Sequence, residues 1–225
     1  MEPFNYVIHD IERVSKDLVD AMGKCATPTI CEAYGGKGAL AHYIRPVRQG
    51  MKLCGPAVTV VTRPGDNLIV HKAIYVAKPG DILLIDTSSC LEGGFWGAIM
   101  TEAAMQQKIA GLVTDGAVRD TDEIEKMGFP VFSQAVSMKG TTKAYLGTIN
   151  HAIFFGDVKV EPGDLIVGDA DGVVVVARKD VAEVLKLVRQ REEKEEKIIS
   201  ELRRGKTTLE LYGFADILKS KGLKE

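Results

Sequence analysis

The spacing of apolar residues alternates between helical and strand-like periods over the first part of the chain. Apolar positions three or four residues apart predict four helices, over residues 11–22, 27–34, 66–77 and 97–108. Short apolar runs bounded by turn residues predict three buried strands, over residues 54–62, 82–86 and 111–114. Because strands and helices alternate, we expect these strands to pair in parallel within one sheet.

The pattern changes after residue 130, where short apolar runs are separated by Gly, Pro and Asp turns. This spacing is typical of antiparallel hairpins. Residues 169–172 (DADG) resemble the start of a calcium-binding loop, but residues 173–176 are all valine, so we interpret the tetrapeptide as a hairpin turn. Together the two halves predict an α/β or α+β sandwich with a mixed sheet.

A long helix is predicted over residues 180–204. Its first half is amphipathic, whereas residues 189–197 include no apolar side chain. A helix that is polar on all sides is either solvated and stabilised by charge pairs, or bridges to another subunit. We therefore divide the chain into an α/β sandwich domain at 1–179 and a helical extension at 180–225, which we expect to pack on a neighbouring subunit.

Composition narrows the possible partners and compartment. Lys and Arg number 29 and Asp and Glu 31, so no basic excess favours nucleic acid. No apolar run approaches the roughly 18 residues that span a bilayer, and the N-terminus lacks the pattern of a signal peptide. The four cysteines are scattered without a paired motif, which indicates reduced thiols and a cytoplasmic protein. We expect no nucleic-acid partner and no membrane association.

The segment whose side chains are best suited to ligand chemistry lies at residues 111–123. There a predicted strand over 111–114 leads through the turn dipeptide Asp115-Gly116 into a helix. Arg119 and Asp120 stand side by side at that junction. A carboxylate suits a divalent metal ion, and a guanidinium suits a carboxylate or enolate oxygen. Asp120 could instead cap the helix together with Glu123, and Arg119 could be a surface ion-pair partner. Their adjacency at the end of a central strand favours a ligand site.

Two further segments are candidates for ligand binding. The helix that starts at Gly97 exposes backbone N–H groups that can bind a carboxylate, although a glycine at such a junction is also common. Asn67 and His71 lie four residues apart, so a helix places them on one face. His71 is either an acid–base group or ligand, or a structural histidine.

The hexapeptide DGAVRD at 115–120 resembles the signature of the 4-hydroxy-4-methyl-2-oxoglutarate aldolase family, which also contains the type A regulators of ribonuclease E activity. Further similar segments lie at residues 55–60, 66–68, 79–81, 128–132, 162–165 and 171–175. The end of the chain resembles the aldolase branch, since the regulator branch lacks a long C-terminal helix. The resemblance covers residues 20–223.

This resemblance implies a fold and an assembly. The fold would be an α–β–β–α sandwich of the swivelling-domain type with a mixed central sheet and a long C-terminal helix. The chains would form homotrimers or homohexamers with active sites between subunits. Asp120 would hold Mg²⁺ or Mn²⁺, and Glu195 of a neighbouring subunit would reach that metal through water.

The resemblance also implies how a small 2-oxo acid would bind. Arg119 would orient the substrate. The backbone N–H groups of Ala98, Ile99 and Met100, in the helix opened by Gly97, would bind its carboxylate. Asn67 would lie beside the substrate.

One position departs from the aldolase pattern, because Ala98 stands where those enzymes carry Asp or Glu. The resemblance as a whole implies a metal-dependent lyase that releases pyruvate from a 4-hydroxy-2-oxo acid or from oxaloacetate. Decarboxylation of oxaloacetate deprotonates no hydroxyl, so it should tolerate Ala98 better. The alternatives are a non-catalytic regulator of an RNA-degrading enzyme and a lyase for another oxoacid.

Overall fold

A strongly curved mixed sheet forms the centre of the computed structural model, which describes residues 6–223. Its strands run in the order β1-β6-β5-β3-β2-β10-β11, with β4 beside β5 and β7 beside β2. The strands, including the separate β8–β9 ribbon, are β1 (Arg45–Pro46), β2 (Leu53–Val61), β3 (Ile82–Asp86), β4 (Gly94–Trp96), β5 (Gly111–Val118), β6 (Val131–Val136), β7 (Thr148–Ile149), β8 (Ile153–Phe155), β9 (Val158–Val160), β10 (Leu165–Asp169) and β11 (Gly172–Val176).

The two ends of the sheet approach each other, so the sheet is nearly closed into a barrel. Arg45 on β1 donates a hydrogen bond of 2.5 Å from Nη1 to the carbonyl of Asp171, beside β11. The predicted parallel pairing is confirmed for β2, β3 and β5, and the predicted antiparallel hairpins for β8–β9 and β10–β11. The prediction was wrong for β6, which was expected among the antiparallel hairpins but pairs in parallel with β5. Residues 169–172 form the predicted hairpin turn, because Asp169 pairs with Gly172.

Helices cover both outer faces of the curved sheet. The helices are α1 (Lys16–Met22), α2 (Thr27–Ala33), α3 (Leu68–Ile74), α4 (Ala98–Gln106), α5 (Thr121–Met127), α6 (Val181–Arg203), α7 (Thr208–Tyr212) and α8 (Phe214–Ser220). Alternate residues such as Leu84, Val113 and Phe132 fill the interior between the two β layers. Outward residues of β2, β3 and β5 pack on α3, α4 and α5, and those of β10 and β11 pack on α1, α2 and α6. The expected α–β–β–α arrangement is therefore confirmed.

The first helix is shorter than predicted, because it begins at Lys16 and not at residue 11. The preceding segment instead brings Arg13 to Asp81. Its guanidinium donates from Nε and Nη2 to the two carboxylate oxygens of Asp81, each at 2.8 Å, and Asp81 is only 1% exposed. A buried carboxylate needs such a partner, and the pairing overrides the apolar periodicity of residues 11–15.

The dipeptide Asp115-Gly116 does not form the predicted turn, since β5 continues through it to Val118. The pairing of β5 with β6 shifts register at this point. Asp115 accepts hydrogen bonds from the backbone N–H groups of Thr87 and Ser89, at 2.7 and 2.6 Å. The dipeptide thus anchors the loop after β3, and the added strand length carries Arg119 and Asp120 to the sheet's edge. The sequence also gave no indication of strand β4.

The C-terminal extension leaves the body of the domain along α6, as predicted to within one residue. The buried residues of α6 end at Val188, although Arg191 still pairs with Glu32 of α2. The short helices α7 and α8 bury no residue. In residues 6–223 no helix is both long and apolar enough to cross a membrane. All four cysteines are free thiols, and burial raises the pKa of Cys54 to about 12. The first five residues, which bear on a signal peptide, lie outside the described range.

Candidate active site

A pocket of about 210 Å³ lies beyond the end of β5, between the first turns of α3 and α4 and the loop after β6. Most residues that the sequence singled out line it: Asn67, His71, Gly97, Ile99, Met100, Arg119 and Asp120. They come from three segments that the parallel strands bring to one edge of the sheet. Ligand sites in open α/β sheets form at such strand ends.

Asp120 turns its carboxylate toward the pocket and away from its own helix. It occupies the N-cap position of α5 in a left-handed conformation, with φ 57° and ψ 35°, and its side chain makes no capping hydrogen bond. The capping-box alternative is therefore wrong. Asp120 Oδ2 instead accepts a hydrogen bond of 3.0 Å from the backbone N–H of Ala98. The other oxygen, Oδ1, accepts no hydrogen bond from residues 6–223.

Arg119 lies over two glycines at the edge of the pocket. A Cβ on Gly94 would sit 3.0 Å from Arg119 Cβ, and one on Gly97 would sit 3.2 Å from its Cγ and Nε. The Arg119 Nε atom lies 3.8 Å from Asp120 Oδ2, and both side chains are about two-fifths exposed. The two groups therefore form a loose surface pair, and the guanidinium retains donors for a ligand.

The start of α4 offers fewer free donors than expected. The Ala98 N–H, predicted to bind a substrate carboxylate, is already donated to Asp120. Thr101 N–H bonds to the Gly97 carbonyl. The N–H groups of Ile99 and Met100 are the first-turn donors that find no acceptor in the described chain, and the positive end of the helix dipole favours an anion beside them.

Asn67 and His71 form the wall contributed by α3. Asn67 is 5% exposed, and its Nδ2 donates to the carbonyl of Phe95 at 2.9 Å, which ties α3 to β4. His71 lies one turn further along and its ring makes no hydrogen bond within the described chain. Burial and the positive charge of Lys143 lower the pKa of His71. Both effects favour the neutral form of the imidazole.

The loop after β6 provides a fourth wall through Thr141 and Lys143, which no pattern in the sequence indicated. Buried Asp66 holds this loop: its Oδ2 accepts from Thr142 Oγ1 at 2.7 Å and from the Ala144 N–H at 2.6 Å. Its Oδ1 accepts from the N–H of Leu68, the first residue of α3, at 3.0 Å. Burial alone would raise the pKa of Asp66, but these hydrogen bonds hold it below its usual value.

Glu195 does not line the pocket of its own chain. It lies on α6 beyond the last buried residue of that helix, and its carboxylate pairs with Arg191 at 2.9 Å. A role at the pocket therefore requires a second copy of the chain, as the family resemblance implies.

The donor set fits a hard divalent cation held by few protein ligands. No group of three or more His, Cys, Asp or Glu side chains that could hold a metal occurs in residues 6–223. Asp120 offers one carboxylate with an unengaged oxygen at an open pocket. Mg²⁺ is commonly held by one or two carboxylates while it keeps several waters, and Mn²⁺ accepts the same oxygen ligands. Zn²⁺ sites with three or four His or Cys ligands do not match this set.

The fold and the pocket define an α/β protein with a pocket lined by Arg119 and Asp120 at the carboxyl ends of its central strands. Residues 17–175 match the RraA-like family model, described as Aldolase/RraA, and the chain belongs to this family. A relative from Halalkalibacterium halodurans, named "Putative 4-hydroxy-4-methyl-2-oxoglutarate aldolase", is 36% identical over 180 residues, which cover 80% of this chain and 86% of the relative.

Solved structures show the same fold. An uncharacterized protein from Pseudomonas syringae pv. tomato superposes with a TM-score of 0.80 at 28% identity, and covers 91% of this chain and 94% of its own. Streptomyces coelicolor RraAS2, described as an unusual member of the RNase ES inhibitor RraA protein family, superposes with a TM-score of 0.75 at 23% identity. That match covers 85% of this chain and all of the other, and at this identity it supports the fold alone.

Proposed function

We propose that this chain is a divalent-metal-dependent carbon–carbon lyase that releases pyruvate from a small 2-oxo acid. The observation that carries the proposal is the left-handed turn at Asp120, which leaves the carboxylate uncapped and facing the pocket beside Arg119. The two free N–H groups at the start of α4 lie at the same pocket. A carboxylate, a guanidinium and paired N–H donors together match the charges of a 2-oxo acid and its enolate.

Each group has a distinct task in this proposal. The N–H groups of Ile99 and Met100 bind the substrate carboxylate. Arg119 donates to the keto oxygen and neutralises the negative charge that develops there when the adjacent C–C bond breaks. The Ala98 N–H and the space at Gly97 fix the position of the Asp120 carboxylate.

Asp120 would hold the Mg²⁺ or Mn²⁺ ion, which supplies Lewis-acid polarisation of the keto oxygen. Ala98 supplies no carboxylate to take a proton from a 4-hydroxyl group. Loss of CO₂ from oxaloacetate needs no such base, whereas cleavage of a 4-hydroxy-2-oxo acid does. We therefore place oxaloacetate first among the candidate substrates, and 4-hydroxy-2-oxo acids second.

The test is a coupled assay of pyruvate release across a panel of 2-oxo acids, with Mg²⁺, with Mn²⁺ and with EDTA. We expect release from oxaloacetate above the rate of the metal ion alone, and loss of that release with EDTA. Restoring the metal after chelation should restore the rate, which controls for unfolding. Release that persists in EDTA, or no release from any acid on the panel, would rule out the proposal.

A second candidate is a non-catalytic regulator of an RNA-degrading enzyme, and Ala98 is the observation that favours it. The family to which the chain belongs is described as Aldolase/RraA, so it contains RraA proteins as well as aldolases. The long helix α6 argues against this candidate, because a long C-terminal helix resembles the aldolase branch of the family and is lacking in the regulator branch. Binding to such an enzyme without turnover of any 2-oxo acid would favour the regulator.

We also propose that the chain functions as a homo-oligomer, a trimer or a hexamer, joined in part by α7 and α8. These helices contact each other but expose Tyr212, Phe214 and Ile217 to 43–47%. On the domain, Ile99 at the pocket and Met138 on the loop after β6 are 82% and 91% exposed. If the exposed apolar side chains of α7 and α8 contact Ile99 and Met138 of the next copy, the chains form a head-to-tail contact that can close into a ring.

Phe214→Asp should break this assembly. A charge in a buried apolar contact is costly, so the variant should have a lower mass by light scattering and reduced activity. Ser220→Asp is the matched control, since it adds the same single negative charge to α8 at an exposed polar position, and it should retain the wild-type mass. A monomeric wild-type chain, or an unchanged mass in Phe214→Asp, would contradict the proposed role of α7 and α8.

A further inference from the structure

The loop that joins β3 to β4, residues 87–93, has no task in the proposed reaction but leads directly to the pocket. Its Ser88 and Ser89 both adopt the left-handed backbone conformation, with φ 55° and 53°. Residues that carry a side chain rarely adopt this conformation, and they keep it where the surrounding contacts enforce it. The loop is therefore held by contacts strong enough to offset its backbone strain.

The contacts that enforce this conformation come mainly from Asp115 on β5. Its Oδ1 accepts from the N–H and the Oγ1 of Thr87, at 2.7 and 2.9 Å, and its Oδ2 accepts from the N–H and the Oγ of Ser89, at 2.6 and 3.3 Å. Asp86 adds one hydrogen bond, since its Oδ1 accepts from the Ser88 N–H at 2.8 Å. Because hydrogen bonds to a carboxylate are stronger than those between neutral groups, Asp115 is the main anchor of the loop.

The ion pair at the far end of this loop is a weaker anchor. Glu92 pairs with Lys139 of the loop after β6, and both side chains are exposed. Exposed ion pairs contribute little to stability. The pair therefore does not replace the four hydrogen bonds that Asp115 accepts.

Strand β4 follows the loop and contacts three parts of the pocket. The carbonyl of Trp96 accepts from the Arg119 N–H at 2.9 Å, and the carbonyl of Phe95 accepts from Asn67 Nδ2 at the same distance. Trp96 Nε1 also donates to Oγ1 of Thr101 in α4, at 2.7 Å. A displacement of β4 would therefore move Arg119 and the first turn of α4 together.

We propose that Asp115 is a positioning residue, which fixes β4 by holding residues 87–89 in their strained conformation and thereby places Arg119 and the first turn of α4 for the reaction. Asp115 does not line the pocket, so it acts through the loop and not on the substrate. The inference rests on the proposed function for the tasks of Arg119 and α4.

Trp96 is the only tryptophan of the chain and is fully buried on β4, so its fluorescence reports the position of this strand. Asp115→Ala should shift the emission to longer wavelength, because water gains access to the indole. The same variant should lower kcat for pyruvate release by about 10- to 100-fold, since small displacements of reacting groups have effects of this size. Adding Ser89→Gly should restore the emission and part of kcat, because glycine adopts the left-handed conformation without strain.

Asp164→Ala is the matched control. Asp164 is a buried carboxylate that accepts from the N–H groups of Glu161 and Arg178, at 2.9 and 2.8 Å, and it does not line the pocket. This variant should lower the thermal midpoint but leave the Trp96 emission and kcat unchanged below that midpoint. Asp115→Asn keeps one acceptor oxygen and should show a smaller change in the same direction, and it replaces Asp115→Ala if that variant does not fold.

Wild-type emission and kcat in Asp115→Ala would overturn the inference, and so would equal changes in Asp164→Ala or a lack of rescue by Ser89→Gly. The fluorescence measurement does not depend on turnover. Emission that depends on Asp115 in a chain that releases no pyruvate would contradict the proposed function, while it supports the positioning of β4. Pyruvate release that is unchanged in Asp115→Ala would contradict the inference alone.

Discussion

Replacing Arg119 by methionine is expected to slow pyruvate release by about 100- to 1,000-fold, the usual cost of losing one donor to a developing oxyanion. Methionine keeps an apolar stem over Gly94 and Gly97, so the packing of Arg119 against these glycines is largely retained. The loss should therefore appear mainly in kcat, with a thermal midpoint close to that of the wild type. Steady-state kinetics with oxaloacetate and a thermal melt measure the two effects.

Arg48→Met serves as the control for this variant. Arg48 pairs with Asp122 and Glu125 of α5 and does not line the pocket. The same substitution there should leave kcat within a factor of about two, because exposed ion pairs contribute little. If Arg119→Met retained a wild-type kcat, the guanidinium would have no part in stabilising the enolate, and the assigned mechanism would be wrong.

Gly97→Ala should lower activity by about 100-fold without unfolding the protein, since small displacements of reacting groups have effects of this size. The backbone at Gly97 is extended, with φ −158° and ψ −171°, so alanine fits its conformation. The new Cβ would, however, lie 2.5 Å from Asp120 Oδ2. The carboxylate must then move, and it leaves both the Ala98 N–H and the position from which it would hold a metal ion.

Gly140→Ala is the matched control, because Gly140 lines the same pocket but a Cβ there meets no atom within 4 Å. Activity and Mn²⁺ affinity, measured by electron paramagnetic resonance, should both fall in Gly97→Ala and stay near wild type in Gly140→Ala. Equal kinetics in the two variants would show that the exact position of the Asp120 carboxylate does not matter for the reaction.

The periodicity of apolar residues predicted the layers of the fold because each strand and helix buries one regular face. It failed where a specific polar contact decides the backbone. The pair of Arg13 with Asp81 keeps residues 11–15 out of α1. The hydrogen bonds that Asp115 accepts from Thr87 and Ser89 hold residues 115 and 116, where a turn was predicted, in strand β5. Contacts between segments more than 25 residues apart leave no local pattern in a single sequence.

The candidate site shows the same difference between local patterns, which the sequence reveals, and contacts between distant segments, which it does not. Arg119 and Asp120 were predictable because they are neighbours at one strand–helix junction, and Asn67 with His71 because one helix carries both. Lys143 was not, since it enters the pocket only through the bonds of its loop to Asp66, some 75 residues earlier. The hydrogen bond from the Ala98 N–H to Asp120 was also not predictable, because it depends on the left-handed backbone at Asp120, which no residue pattern indicates.

The backbone at Asp120 has a consequence for how this chain can vary. A left-handed conformation costs an L-residue about 1–2 kcal/mol, somewhat less for aspartate, and glycine would occupy it without strain. Glycine at position 120 would increase the stability of the fold but would remove the carboxylate. Selection for thermal robustness alone would thus tend to erase the pocket's chemistry, and a stabilised chain should be engineered at positions remote from this turn.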